Sequence, residues 1–62
     1  MSNAELVERF EELEEMSTEG ILEVTTYRDF SQKLRTSYDN QEITRKEFLV
    51  LIELSCHLKC VG

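Results

Sequence analysis

The sequence predicts an all-α fold, a three-helix hairpin or bundle with helices over about residues 4–16, 20–38 and 44–59, assembled as a homodimer through the third helix. Two features of the chain point to helices. Apolar residues recur at three- and four-residue spacing in three separate stretches, the period of a helix with one buried face. The 62 residues contain no proline and only two glycines, Gly20 and Gly62, so few positions break a helix. A third feature points to the dimer: the last stretch is apolar on nearly every side.

The first helix starts after Asn3, a candidate N-cap whose side chain can accept from a free backbone N–H. At about 100° per residue, Leu6, Phe10 and Leu13 share one stripe, with Val7 and Met16 on its flanks. Glu8, Glu11, Glu12 and Glu15 gather on the opposite side. The stretch STEG, residues 17–20, reads as a break, because serine and threonine favour caps and turns and glycine costs about 1 kcal/mol inside a helix.

Ile21, Val24, Tyr27, Phe30, Leu34 and Tyr38 then mark the buried stripe of a second helix. Two starts are open. The helix can begin at residue 20, or at residue 26 if the β-branched run VTT stays outside it and Thr26 acts as a late cap. YDNQ, residues 38–41, is a turn by composition. Thr44 and Glu47 have the spacing of a reciprocal capping box, and Ile43 can pack on Phe48 as a hydrophobic staple, which fixes the start of the third helix.

That helix carries Phe48, Leu49, Val50, Leu51, Ile52, Leu54, Cys56, Leu58 and Cys60. A helix without a polar face is central in its fold, and two neighbours with one stripe each hardly cover it. The expected interface is Phe48, Leu51, Ile52 and Leu58 against a second copy, with Leu49 and Leu54 the residues that would stay partly exposed if the chain were monomeric. Size argues the same way. A chain this short buries only about 60% of the surface its unfolded form exposes, and small domains commonly make up the shortfall by association.

Charge is concentrated at one end. Residues 1–23 hold eight glutamates and one arginine, a net charge of −7, whereas the remainder holds five acids and six bases, a net charge of +1. Glu8 to Glu15 spans about 10 Å of helix with four charges, one per roughly 3.5 Å, close to the spacing of about 3.4 Å between phosphates along a DNA strand. Such a face suits a basic protein partner, including a DNA-binding protein that would accept it as a decoy. Direct binding to nucleic acid is not expected, since duplex affinity comes mainly from neutralising phosphates. The bases Arg28, Lys33, Arg35, Arg45 and Lys46 form a modest patch, which reads as a solvated face or as partners for the glutamates before it reads as a DNA-reading helix.

The segment LRTSYDNQEITRKEFLVLIEL, residues 34–54, carries Ile43, Thr44, Glu47 and Phe48 after a turn. It resembles the hairpin of SHOCT domains, short helical modules with a central I-T-x-E-E-F signature. Lys46 stands where the family usually has its first glutamate, and Gln41 or Glu42 where it often has glycine. The resemblance covers about a third of the chain and implies an oligomerisation or docking module without catalysis.

Other chemistry finds little footing. With Glu47 at the last position of a calcium-binding loop, Thr36, Tyr38 and Asn40 would be the first ligands and Gln41 would replace the turn glycine, so the ligand set fails. Cys56, His57 and Cys60 give C-H-x-x-C, but the chain has no fourth thiol or imidazole for a structural zinc. Cysteines four apart on a helix are poorly placed for a disulfide, so both read as buried or half-buried free thiols, with His57 a cation near the helix C-terminus. No catalytic residue, metal or cofactor is expected. The longest apolar run, FLVLI at 48–52, is far short of the roughly 20 residues that span a bilayer. With no secretory signal and two thiols, a cytoplasmic setting is expected. Small size, acidity and the lack of catalytic groups are common among regulators carried by phages and other mobile elements, an association that leaves the partner open.

Overall fold

The computed structural model describes residues 1–61 and contains three helices, α1 (Asn3–Glu19), α2 (Val24–Asp39) and α3 (Arg45–Ser55), each packed on the other two. The all-α, three-helix expectation is met, and no sheet occurs among the described residues beyond one isolated bridge between Glu23 and Val61. The helix ends differ from the expected ones by up to four residues.

Helix α1 begins one residue earlier than expected. Its N-cap is Ser2, not Asn3: the Ser2 hydroxyl accepts from the Glu5 N–H at 3.3 Å, and the Glu5 carboxylate accepts from the Ser2 N–H at 3.3 Å and from its hydroxyl at 3.1 Å. This closes the capping box of S-x-x-E. At the far end the helix runs through Ser17 and Thr18 to Glu19, so STEG is not a four-residue break. Thr18 donates its hydroxyl to the Glu14 carbonyl at 3.1 Å, the back-bond that lets threonine sit inside a helix. Gly20 alone makes the stop, in the left-handed conformation at φ +73°. The Ile21 N–H reaches back to the Met16 carbonyl (2.9 Å) and the Gly20 N–H to that of Ser17 (3.1 Å), the paired bonds of a Schellman ending.

Helix α2 starts between the two expected positions. Residues 21–23 link the helices after Gly20, and Glu23, in extended conformation, is the N-cap by backbone alone, without a side-chain bond. The link is held by Leu22, which is fully buried, whereas Ile21 and Val24 are exposed. The apolar stripe expected to begin at Ile21 therefore begins at Leu22, outside the helix, and continues through Phe30 and Leu34. Helix α2 ends in a second Schellman turn: the Glu42 N–H bonds to the Ser37 carbonyl (2.9 Å), the Gln41 N–H bonds to the Tyr38 carbonyl (3.0 Å), and Gln41 sits at φ +60°.

Helix α3 begins as expected. Thr44 and Glu47 form the capping box, with bonds of 3.2 and 2.9 Å. Ile43 is buried and Phe48 packs against the same core, as a staple requires. The helix ends at Ser55, four residues before the expected 59. Two interactions explain this. The Ser55 hydroxyl donates back to the carbonyls of Leu51 (2.8 Å) and Ile52 (3.0 Å), and the Tyr27 hydroxyl of α2 donates to the Ser55 carbonyl at 3.1 Å. A further helical turn would bring the Lys59 N–H to that carbonyl. Lys59 instead donates its N–H to the Ser17 hydroxyl on α1 at 2.8 Å, and the Val61 N–H reaches the Leu22 carbonyl at 2.7 Å. Lys59 and Val61 thus tie the end of the described chain to the α1–α2 link.

The core is Leu6, Phe10 and Leu13 from α1, Leu22 from the link, Phe30 and Leu34 from α2, Ile43 from the turn and Leu51 from α3. Phe10 and Phe30 meet at its centre with ring centroids 6.2 Å apart and planes tilted by 48°. Tyr38 and Phe48 stack at 4.4 Å on the edge of the α2–α3 contact. The first pair lies within the favourable range of about 4.5–7 Å for aromatic pairs, and the second is at its near limit. Buried Ser37 accepts from the Met1 ammonium at 3.1 Å, and the same ammonium pairs with Glu42 at 2.7 Å.

Candidate functional site

Two surfaces stand out. The first is the outer side of α1, where Glu8, Glu11, Glu12 and Glu15 are all exposed. Leu6, Phe10 and Leu13 turn inward, so the 3.6-residue period sends these glutamates directly away from the core. Glu14, Thr18 and Glu19 border the same patch.

The cations do not cover this face. Among the described residues, three ion pairs form: Met1 with Glu42, Arg9 with Glu12 at 3.5 Å, and Lys33 with Asp29 at 3.1 Å. Arg9 is thus the single base paired to the glutamate face, and that pair is an exposed one of small worth. Lys33 serves its own helix. Arg28, Arg35, Arg45 and Lys46, the other candidates to neutralise α1, make no ion pair among the described residues. Glu5, in the first turn, is the carboxylate held below its ordinary value of 4.5, mainly because the Ser2 N–H and then the Ser2 hydroxyl bond to its charged form.

The second surface is the outer side of α3. Leu51 lies in the protein's own core, only 3% exposed, and Phe48 and Leu58 are half-buried against it. Of the four residues expected at a dimer contact, Ile52 is the exposed one, at 38%. The residues that α3 offers to solvent are instead Leu49, Val50, Ile52 and Leu54, the first two about half exposed. The helix also has a polar ridge. Taking Leu51 and Ser55 as the inward direction, about 100° per residue places Lys46 and Glu53 at the outward pole, between Leu49 on one side and Val50 on the other. Apolar residues flank this ridge rather than encircle the helix. Between α3 and α1 lies an open groove of about 290 Å³, lined by the apolar Val7, Phe10, Val50, Leu51 and Leu54 and by the polar Asn3, Lys46 and Glu47.

Sequence periodicity assigned the glutamate face residue by residue. It named Leu49 and Leu54 as the residues left partly exposed on a single chain, as they are, and missed Val50 and the Lys46–Glu53 ridge. The signal that could have found them was Ser55: a serine one turn after Leu51 marks where a small side chain faces a neighbouring helix, and this sets the inward direction of α3.

The cysteines are free, as expected, but exposed rather than buried. Cys56 caps α3 with helical backbone angles, about 140° round the helix from buried Leu51, and Cys60 lies beyond the turn that ends the helix. His57 is exposed beside them. No group of three His, Cys, Asp or Glu side chains among the described residues is placed to hold a metal ion. No described helix is long and apolar enough to cross a membrane. Comparison with family models, with curated proteins and with solved structures gives no match.

Proposed function

We propose that this protein is a protein–protein interaction module and not an enzyme: α1 docks its glutamate face on a basic surface of a larger protein, of the kind by which DNA-binding proteins hold phosphates, and α3 joins two copies. The observation that carries the reading is the segregation of charge. Glu8, Glu11, Glu12 and Glu15 are exposed together, and one base, Arg9, pairs with the face they form. A field of one sign on a rigid helix steers an oppositely charged partner and fixes its orientation more than it sets affinity.

The test is capture of partners from the source cell with wild-type protein and with a variant carrying Glu→Gln at positions 8, 11, 12 and 15, in rising salt. Basic proteins held by the wild type should be released by salt and lost from the variant. Partners that bind the variant equally well would overturn the docking role of α1.

A second reading is favoured by the exposed Leu49, Val50, Ile52 and Leu54. In it the protein is a self-assembly module, and the glutamates serve solubility. The two readings part in the same experiment, since the quadruple variant would then assemble normally and lose nothing.

A further inference from the structure

We propose that two copies of this chain pair through α3 in antiparallel orientation, crossing between Leu49 and Val50, so that Lys46 of each copy meets Glu53 of the other. This rests on the reading of α3 as the self-association face and adds its direction and register.

The argument begins with the ridge. Lys46 and Glu53 are exposed, belong to no ion pair or side-chain hydrogen bond among the described residues, and lie seven residues apart on the outward side of α3. Two turns of helix separate them by about 10 Å with little rotation. Their midpoint falls between residues 49 and 50, the two most exposed apolar residues of the helix. A two-fold axis through that midpoint superposes each lysine on the partner's glutamate twice over. It also brings Leu49 onto Leu49 and Val50 onto Val50 of the second copy. Such an isologous contact is self-complementary by symmetry. A parallel pairing does the reverse, setting Lys46 against Lys46 and Glu53 against Glu53. The face therefore selects a second copy, and selects its direction.

The contact is confined to one side of an 11-residue helix, below the area of a stable standard-size interface. The equilibrium is accordingly read across a concentration series, by sedimentation under reducing conditions. Lys46→Glu should raise the dimer dissociation constant at least tenfold, about 1.4 kcal/mol shared over the two pairs that turn from attractive to repulsive, and Glu53→Lys should do the same. The double variant Lys46→Glu/Glu53→Lys should restore the wild-type value. A weakened fold cannot imitate this pattern, since an acid at the start of a helix and a base near its end each favour the helix.

Cross-linking gives the geometry directly. In a background with Cys56 and Cys60 changed to serine, Val50→Cys should oxidise to a covalent dimer. Lys46→Cys should not cross-link with itself but should do so when mixed with Glu53→Cys. If Lys46→Cys cross-links with itself, or the charge swap fails to rescue a dimer that does form, the antiparallel register is wrong while self-association stands. A protein that is monomeric at every concentration overturns both.

Discussion

Gly20 and Gln41 hold the same structural place at the ends of successive helices, both in the left-handed backbone region, at φ +73° and +60°, and both within a Schellman pair of hydrogen bonds. One is the residue suited to that conformation and the other is not, since a side chain there costs roughly 1–2 kcal/mol. Gln41→Gly is therefore expected to stabilise the fold by about 0.5–1 kcal/mol, after allowance for the greater freedom of glycine in the unfolded chain. Gly20→Ala should destabilise it by about 1 kcal/mol through backbone strain alone, because an added Cβ meets nothing within 4 Å. Urea denaturation reads both, and a loss of stability in Gln41→Gly would contradict the turn described here.

The first-turn capping box gives stability a pH dependence. The carboxyl of Glu5 titrates below 4.5 in the folded protein because Ser2 bonds to its charged form. A depressed folded value means that the contribution is present above the unfolded value and is lost as pH falls through the folded one. Stability should decline from about pH 5 downward, and Glu5→Gln should flatten part of that decline. Melting curves of the two proteins that run parallel from neutral pH to pH 3 would exclude this role for Glu5.

Leu51 and Leu49 are two residues apart on α3 and should behave as different kinds of residue. Leu51 is in the core, so Leu51→Ala should cost about 2–5 kcal/mol of folding stability. Leu49 is half exposed, and Leu49→Ala should change monomer stability by no more than about 0.5 kcal/mol. It should, however, weaken self-association. Chemical denaturation at low concentration separates the two effects, and equal losses in folding stability would refute the orientation of the helix.

Tyr27→Phe should lower stability by about 1 kcal/mol, the usual worth of one hydrogen bond, because the hydroxyl of Tyr27 donates to the last carbonyl of α3, which the Leu58 N–H also reaches at 3.1 Å. The nuclear magnetic resonance shifts of residues 53–57 should move in this variant. If only the tyrosine's own neighbours on α2 respond, the contact is not what ends α3.

The fold was legible where the signal is local and reciprocal. Thr44 with Glu47 announced the start of α3, and the stripe Leu6, Phe10, Leu13 fixed the inward side of α1 and with it the glutamate face. Where reading failed, the deciding partner lay far along the chain or a competing signal sat one residue away. Ser2 with Glu5 has the same pattern as Thr44 with Glu47, but Asn3 is also a good cap residue and drew the assignment. The end of α3 is set by Tyr27, 28 residues earlier, which no local window contains. Leu22 escapes the helical pattern because a residue buried from a link between helices obeys no helical period. The interface residues expected on α3 suffered from counting apolar side chains without an inward direction, which buried Ser55 supplies.

The return of Lys59 and Val61 to the α1–α2 link has a consequence for the order of folding. The Lys59 N–H bonds to Ser17 and the Val61 N–H to Leu22, across separations of about 40 residues. Neither bond can form until α1, the link and α3 are all in place, and closing so long a loop gains nothing until they are. These two amides therefore act as a latch that shuts last and opens first, and their protection from hydrogen exchange should be weaker than that of the α1 and α2 amides buried around Phe10 and Phe30. A partner that grips residues 59–61 would in this way hold the link they lie against, without touching the buried core.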